Sequence, residues 1–238
     1  MSDERTGCPA GAESGPGTTG EDGFALRTCV PGDLADLREV CLRTGDLGAD
    51  GTALTAWPDL VGDVYAAPYA VHDPALVTVV EHEGRVVGYV IGCRDTLAFE
   101  AWCEEHWWPP LRERYPRPGA GTRPFDAPLL RQVHERPAQA RPHLVTHPAH
   151  LHVDLLPEAQ GRGLGRRLLA HVVAQLLDAG APGVHLGVGA ANTRAVAVYR
   201  RLGFELLLDP APDASSYVLG RSSAVASTDP STGVAAPG

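Results

Sequence analysis

The stretch HLHVDLLPEAQGRGLGRRLL, residues 150–169, constrains the fold more than any other part of the sequence. Alternating apolar residues predict a strand, the glycines predict a turn, and leucines at helical spacing predict a helix that ends near Gly180. A helix that begins there exposes unpaired backbone N–H groups and the positive end of its dipole, and glycine lets a bulky ligand come close. The stretch therefore predicts an anion site at a strand-to-helix turn.

Neither of the common nucleotide motifs fits this turn. The dinucleotide fingerprint GxGxxG would need glycine where the chain has Arg166, and the GK[ST] ending of a phosphate-binding loop is missing. Two interpretations are open at this point: the glycines bind a phosphate group of another kind, or they only form a tight turn beside solvated arginines.

Length, charge and cysteine content exclude several classes of protein. The 238 residues suffice for one domain with a sizeable core. A net charge of −9, with arginine but no lysine, argues against broad binding to nucleic acid or to anionic membranes. Five cysteines without a CxxC pair, and histidines without ligand-like spacing, predict no disulfide framework and no metal. Without a long apolar stretch or an export leader, we expect a soluble cytoplasmic protein.

The chain divides into a globular domain, expected at 23–221, and two tails. Segments 1–22 and 222–238 lack periodicity and large apolar residues, and we expect both to be disordered. Within the domain, 96–147 breaks the rhythm of strands and helices, which indicates an insertion. Its aromatic residues either cover a binding site as a lid or form a satellite core; they are Trp102, Trp107, Trp108 and Tyr115.

Before and within the insertion, the pattern predicts mixed elements. FALRTCV predicts the first strand, and Asp33 is expected to cap the helix after it. A short helix is expected over 57–65, followed by two β-branched strands that Glu83-Gly84 joins as a hairpin. The insertion is expected to be helical up to Pro109, with a small helix near 129–133.

After the glycine turn, GVHLGV, FELLL and SSYVLG predict three further strands. The segment NTRAVAVYRRLG between the first two predicts a helix, with Asn192 as its N-cap and Gly203 as its C-cap. The domain is thus expected to alternate strands and helices around one sheet.

Two motifs in this half of the chain resemble the GNAT acyltransferase superfamily. Residues 160–165, QGRGLG, match its Q/R-x-x-G-x-G/A pyrophosphate loop, and Asn192, Ala195, Tyr199 and Gly203-Phe204 resemble its N-x-x-A-x-x-x-Y-x-x-x-G-F signature. The resemblance covers about residues 24–220. More narrowly, WCEEHWWPPLRERYP and GYVIGCRDT resemble bacterial acetyltransferases akin to the C-terminal acetyltransferase-like domain of O-GlcNAcase.

The resemblance implies an α/β (α+β) domain with the GNAT acyl-CoA N-acyltransferase fold. About seven strands would form a mixed, mostly antiparallel sheet, flanked by helices and splayed between the strands HLHVDLL and GVHLGV. Acetyl-CoA would bind at the splay, and its acetyl group would pass to a primary amine by direct attack in a ternary complex. The alternatives are a non-catalytic acetyl-CoA-binding or regulatory module, and a structural interaction domain whose glycine loop is idle.

The resemblance also assigns contacts with acetyl-CoA by position. The backbone of Leu155 and Leu156 would meet the acetyl carbonyl and the pantetheine, and Asn192 would contact the pantetheine arm or remain only an N-cap. The pyrophosphate loop is expected to consist of Gln160, Gly161, Arg162, Gly163, Leu164, Gly165 and Arg166.

Catalysis needs a proton donor for the departing thiolate and a proton acceptor for the amine. Tyr199 stands at the superfamily's general-acid position, and the alternative is a packed aromatic residue in an amphipathic stripe. For the acceptor we favour Asp154, beside the acetyl-binding backbone, and Asp95, at the start of the insertion, where capping is the alternative. His152 and His185 are interpreted as structural. Residues 152 and 154 share one face of their strand, but the sequence does not tell what that face meets. The acceptor amine and the oligomeric state stay open.

Overall fold

A computed structural model describes residues 18–19, 22–135, 141–208 and 216–223. The two predicted tails fall mostly outside this part of the chain. Of the segment 1–22, only 18–19 and 22 are described, and of the segment 222–238 only the first two residues are.

The protein is built on one eight-stranded sheet with the order β1-β2-β3-β4-β5-β6-β8-β7. Neighbouring strands are antiparallel, except that β5 and β6 are parallel. This confirms the predicted fold class, and the short strand β1 adds one edge to the seven strands expected. The strands are β1 (Thr18–Thr19), β2 (Phe24–Thr28), β3 (Val77–His82), β4 (Arg85–Cys93), β5 (Ala149–Leu155), β6 (Gly183–Gly189), β7 (Glu205–Leu206) and β8 (Ser216–Ser222).

Helices cover both faces of the sheet. They are α1 (Leu34–Arg43), α2 (Leu60–Tyr65), α3 (Ala67–His72), α4 (Thr96–Trp102), α5 (Trp108–Arg114), α6 (Asp126–His134), α7 (Leu164–Asp178) and α8 (Thr193–Arg201). A π-helical turn, Cys103–Trp107, joins α4 to α5.

The two faces of β5 have different neighbours. Leu155 packs near Gly165 of α7, whose apolar stripe is buried against this side of the sheet. On the other face, Asp154 meets Tyr89 of β4 and lies near Cys41 of α1. Because side chains alternate along a strand, His150 and His152 share the face of Asp154. We call it the acceptor face, after the candidate proton acceptor Asp154 that lies on it.

Three local predictions are confirmed. Glu83 and Gly84 both have positive φ, at 50° and 76°. Positive φ at both positions lets a two-residue hairpin loop match the right-handed twist of the strands that it joins. Asn192 caps α8, because its side chain accepts a hydrogen bond from the backbone N–H of Ala195 at 3.1 Å. Gly203 ends the same helix with φ 81°.

Other local predictions need correction. The Asp33 carboxylate does not cap α1: it accepts hydrogen bonds from Arg27 at 2.7 and 2.8 Å and from the N–H of Val30 at 2.8 Å, which fixes the turn before the helix. Helical structure also continues beyond Pro109, because the Pro109-Pro110 pair lies in the first turn of α5, where no backbone N–H is needed.

The insertion is fastened to α2 through one buried carboxylate. Asp63 is fully buried and accepts hydrogen bonds from Arg38 at 2.6 Å and from the hydroxyl of Tyr115 at 2.8 Å. The indole of Trp107 donates to the Asp63 carbonyl at 2.8 Å. A buried charge with several donors holds its neighbours firmly, so the helices of the insertion keep a fixed place above the acceptor face.

Candidate active site

The parallel pair β5 and β6 opens into a gap. Register pairs exist only between Ala149 and Val184 and between His150 and His185, although both strands continue. The N–H of Leu156 donates to Val87 of β4 at 2.9 Å. Alternation along the strand then turns the N–H of Leu155 away from β4, towards the gap.

The glycine turn between β5 and α7 carries a row of free backbone donors. The first helical hydrogen bond of α7 is from Arg167 to the carbonyl of Gly163, and no N–H from Gly161 to Arg166 donates to a residue that the structure describes. Gly161 and Gly163 have φ of 76° and 75°, and a Cβ at either position would stand in open space. Free donors, a helix N-terminus and an unobstructed approach fit a pyrophosphate.

The side chains of the glycine turn make different contacts. The Gln160 amide donates to the carbonyl of Leu155 at 2.8 Å, so it braces the end of β5. Leu164 is buried, which leaves only its backbone for a ligand. The Arg162 guanidinium donates to the carbonyl of Glu158 at 3.0 Å and lies 4.7 Å from the centre of the Phe24 ring. Arg166 is exposed at the first turn of α7.

Tyr199 of α8 lies near enough to Asp154 of β5 for the carboxylate charge to act on the tyrosine hydroxyl. Burial raises the pKa of Tyr199 to about 12, and the nearby charge of Asp154 adds to this effect. Burial also raises the pKa of Asp154, against the opposing influence of hydrogen bonds from Tyr89 and Thr44. The Tyr89 hydroxyl donates to the Asp154 carboxylate at 2.6 Å. The sequence placed both residues on candidate lists but could not show that they are neighbours.

A cavity of about 170 Å³ lies on the acceptor face, beside the point where β5 and β6 separate. His152 and His185 line it, together with Tyr65 and Tyr69 of the preceding helices and Trp108 of the insertion. The insertion thus packs as a core and contributes Trp108 to the wall of this cavity, while its role as a lid over a binding site stays a prediction. Tyr69 also lines this cavity and is not among the residues that the sequence suggested; its spacing of four from Tyr65 is the signal that could have indicated it.

Asp95 does not join this group. Its carboxylate accepts a hydrogen bond from the N–H of Ala98 at 3.0 Å and caps α4. Asp95 follows the C-terminal end of β4, where Cys93 pairs with His150 at the start of β5. Leu155 lies at the other end of β5, where it pairs with Gly88. The structure thus gives Asp95 the capping role.

The described cysteines and the described histidines show no nucleophile and no metal site. Burial raises the pKa of the thiols of Cys29, Cys93 and Cys103 to about 12 and raises that of Cys41 still further. Among the described residues, no group of three or more metal-binding side chains converges. In the same part of the chain, no helix is both long and apolar enough to cross a membrane.

The histidines around the gap make stability depend on pH. Burial lowers the pKa of His152 and of His185 to about 4, from an ordinary 6.5, and lowers that of His150 further. The folded state therefore binds fewer protons than the unfolded state between pH 6.5 and 4, so stability present above pH 6.5 is lost as the pH falls. At pH 5 we expect the free energy of unfolding to be lower by roughly 2 to 4 kcal/mol than at pH 7.5.

Urea unfolding at the two pH values measures this loss. His185→Gln should reduce the difference, while His171→Gln, at an exposed position of α7, serves as the control. Equal stability of the wild-type protein at pH 5 and 7.5 would contradict the assigned burial of these rings.

A strand pair that opens beside a helix N-terminus with free donors is suited to binding an anionic group. The family model "Acetyltransferase (GNAT) family" matches residues 129–204. A solved structure described as SsHAT is 36% identical, with a TM-score of 0.77, over 84% of this chain and 98% of that one. The chain belongs to the GNAT acetyltransferase family.

Two more distant proteins share parts of this description. Protein O-GlcNAcase of Rattus norvegicus is 23% identical over 202 residues, which cover 84% of this chain. The chain spans only about a fifth, 22%, of that protein's length. The yncA structure from Salmonella typhimurium, solved with its cofactor acetyl-CoA, is 15% identical with a TM-score of 0.51, over 90% of this chain and 98% of that one, and shares the fold.

Proposed function

We propose that this protein transfers the acetyl group of acetyl-CoA to a primary amine by direct attack in a ternary complex. The observation that carries the proposal is the gap between β5 and β6 beside the free N–H groups of the glycine turn, with Tyr199 near enough to Asp154 for the carboxylate charge to act on it. A transfer of this kind needs a donor for the carbonyl oxygen and a proton for the departing sulfur. The N–H of Leu155 would donate to the carbonyl oxygen, and the hydroxyl of Tyr199 would supply the proton.

Tyr199 is the proposed proton donor. A phenol whose pKa is about 12 holds its proton throughout the neutral range, and the charge of Asp154 opposes its ionisation. Tyr199 is therefore fully protonated when the thiolate departs, and its O–H can donate to the sulfur at that moment. The four described cysteines support direct attack, because buried thiols with raised pKa values are poor nucleophiles.

The glycine turn is the proposed pyrophosphate site. Its free N–H groups at the start of α7, residues 164–166, would hold the anion, and the exposed guanidinium groups of Arg162 and Arg166 add positive charge. Asn192 stands at the start of α8, where its amide also reaches the Leu47 carbonyl at 3.5 Å. Two groups on the acceptor face, Asp154 and His152, can accept the proton of the amine.

Two measurements test the proposed function. Acetyl-CoA at about 100 times its dissociation constant should stabilise the protein by roughly 2.7 kcal/mol, seen as a rise in melting temperature. Free thiol should then appear with at least one member of a panel of small amines, aminoglycosides, and peptides with a free N-terminus or a lysine. Stabilisation without thiol release from any of them would favour a regulatory acetyl-CoA-binding module. No stabilisation would favour a structural domain.

A further inference from the structure

A chain of hydrogen bonds runs through the acceptor face and ends at His152. The Thr96 hydroxyl donates to the Pro148 carbonyl at 2.7 Å and lies 2.7 Å from Nδ1 of His150. Nε2 of His150 lies 2.9 Å from the Tyr69 hydroxyl, and that hydroxyl lies 3.1 Å from Nε2 of His152. A continuous chain of hydrogen bonds thus connects three segments that are far apart in sequence.

Donor and acceptor accounting gives this chain a direction. A hydroxyl has one proton, and the Pro148 carbonyl can only accept, so the Thr96 proton is used there and His150 Nδ1 must donate to Thr96. A neutral His150 then accepts from Tyr69 at Nε2, and Tyr69, having given its proton, accepts from His152. The reverse direction would lose the bond from the Thr96 hydroxyl to the Pro148 carbonyl, which would keep only the backbone N–H of Thr96 as its donor at 2.9 Å.

We propose that Thr96, His150 and Tyr69 are positioning residues that fix His152 as its Nε2–H tautomer, so that Nδ1 of His152 accepts the proton of the attacking amine. The inference rests on the proposed function for its chemistry, whereas the tautomer can be established without turnover. The proposal gives His152 a role in proton transfer, whereas the sequence alone led us to interpret this residue as structural.

His152 suits the role better than Asp154 does. It lines the 170 Å³ cavity, and its Nδ1 makes no hydrogen bond to any residue that the structure describes. The Asp154 carboxylate is already held by Tyr89 and is the charge that opposes ionisation of Tyr199. Burial keeps the ring of His152 neutral at pH 7, with a pKa of about 4, so its lone pair is available before the reaction.

The step balances in atoms and protons. The amine nitrogen forms a bond with the thioester carbonyl carbon, and the bond between that carbon and sulfur breaks. The sulfur takes the proton of Tyr199, and Nδ1 of His152 takes one proton from the nitrogen. Return of that proton from His152 to the Tyr199 phenolate through solvent restores both groups, and the products are the amide and the free thiol of coenzyme A.

Two-bond ¹H–¹⁵N spectra of the histidine rings test the positioning chain without any substrate. The wild-type protein should show His150 as the Nδ1–H tautomer and His152 as the Nε2–H tautomer, assigned with His150→Gln and His152→Gln. Thr96→Val keeps the side-chain shape but loses the hydroxyl, and should return His152 to a mixture of tautomers. Thr96→Ser should restore the wild-type spectrum. A wild-type Nδ1–H tautomer at His152, or a Thr96→Val spectrum identical to wild type, would overturn the assignment.

Thiol release tests the proton-accepting role in the intact protein. His152→Gln should lower kcat by a factor on the order of 10², and Thr96→Val by about tenfold with rescue by Thr96→Ser, because one lost hydrogen bond changes a tautomer ratio by about that much. KM for acetyl-CoA should change little in each. An unchanged kcat in His152→Gln would refute the role of Nδ1. If no amine reacts with the wild-type protein, the proposed function fails and so does the proton transfer, while the spectra still decide the tautomer.

Discussion

Replacing Tyr199 with phenylalanine is expected to lower kcat for thiol release by a factor on the order of 10² to 10³, which is the usual range for removal of a positioned proton donor. The ring itself packs 6.0 Å from that of Phe204, and phenylalanine preserves this contact. Only the hydroxyl beside Asp154 is lost. The KM for acetyl-CoA should therefore stay within a few fold of wild type, and the loss should appear almost wholly in kcat.

The matched control for this change is Tyr217→Phe, which removes the same hydroxyl from a partly buried tyrosine of β8. It should leave kcat unchanged. The pH profile adds a second check: a pKa of about 12 means that Tyr199 itself causes no loss of activity up to about pH 10, where an ordinary tyrosine would be half ionised. Wild-type rates in Tyr199→Phe would show that the thiolate obtains its proton elsewhere and that Tyr199 is only a packed aromatic residue.

Local geometry is the part of this fold that the sequence could predict. The glycine turn, the Asn192 cap, the Gly203 terminator and the Glu83-Gly84 hairpin depend on backbone conformations that few residue types adopt, so their letters carry the information. The buried stripe of α7 follows from spacing in the same way. These elements predicted where the helix N-terminus lies, whereas the gap between the two parallel strands was expected only from the resemblance to the GNAT superfamily.

The acceptor face could not be predicted, because long-range packing builds it. Tyr69 meets His150 and His152 across more than 80 positions of sequence, and no spacing rule links them. Asp95 shows the opposite case: its place at the end of a strand suggested chemistry, its carboxylate caps the next helix, and its role as a proton acceptor stays a prediction. A carboxylate close to the start of a helix can either cap the helix or take part in catalysis. The positions of the remaining elements determine which of these roles it has.

Replacing Gly163 with leucine is expected to abolish acetyl-CoA binding. Gly163 has φ 75°, where an L-residue is strained, and a side chain there would stand in the open space next to the free N–H groups of α7. The 2.7 kcal/mol of stabilisation that acetyl-CoA gives the wild-type protein at about 100 times its dissociation constant should disappear. Isothermal titration should detect no binding at concentrations that saturate wild type.

Gly180→Leu separates loss of the site from the cost of backbone strain. Gly180 lies just after the far end of α7 with φ 93° and with no neighbour within 4 Å of a built Cβ, so leucine meets the same conformational penalty, roughly 1 to 2 kcal/mol, at both positions. Both variants should melt at similarly lowered temperatures without ligand, but only Gly180→Leu should regain stability when acetyl-CoA is added. If Gly163→Leu binds acetyl-CoA as tightly as Gly180→Leu does, then the glycines merely turn the chain, and the pyrophosphate lies somewhere other than at the start of α7.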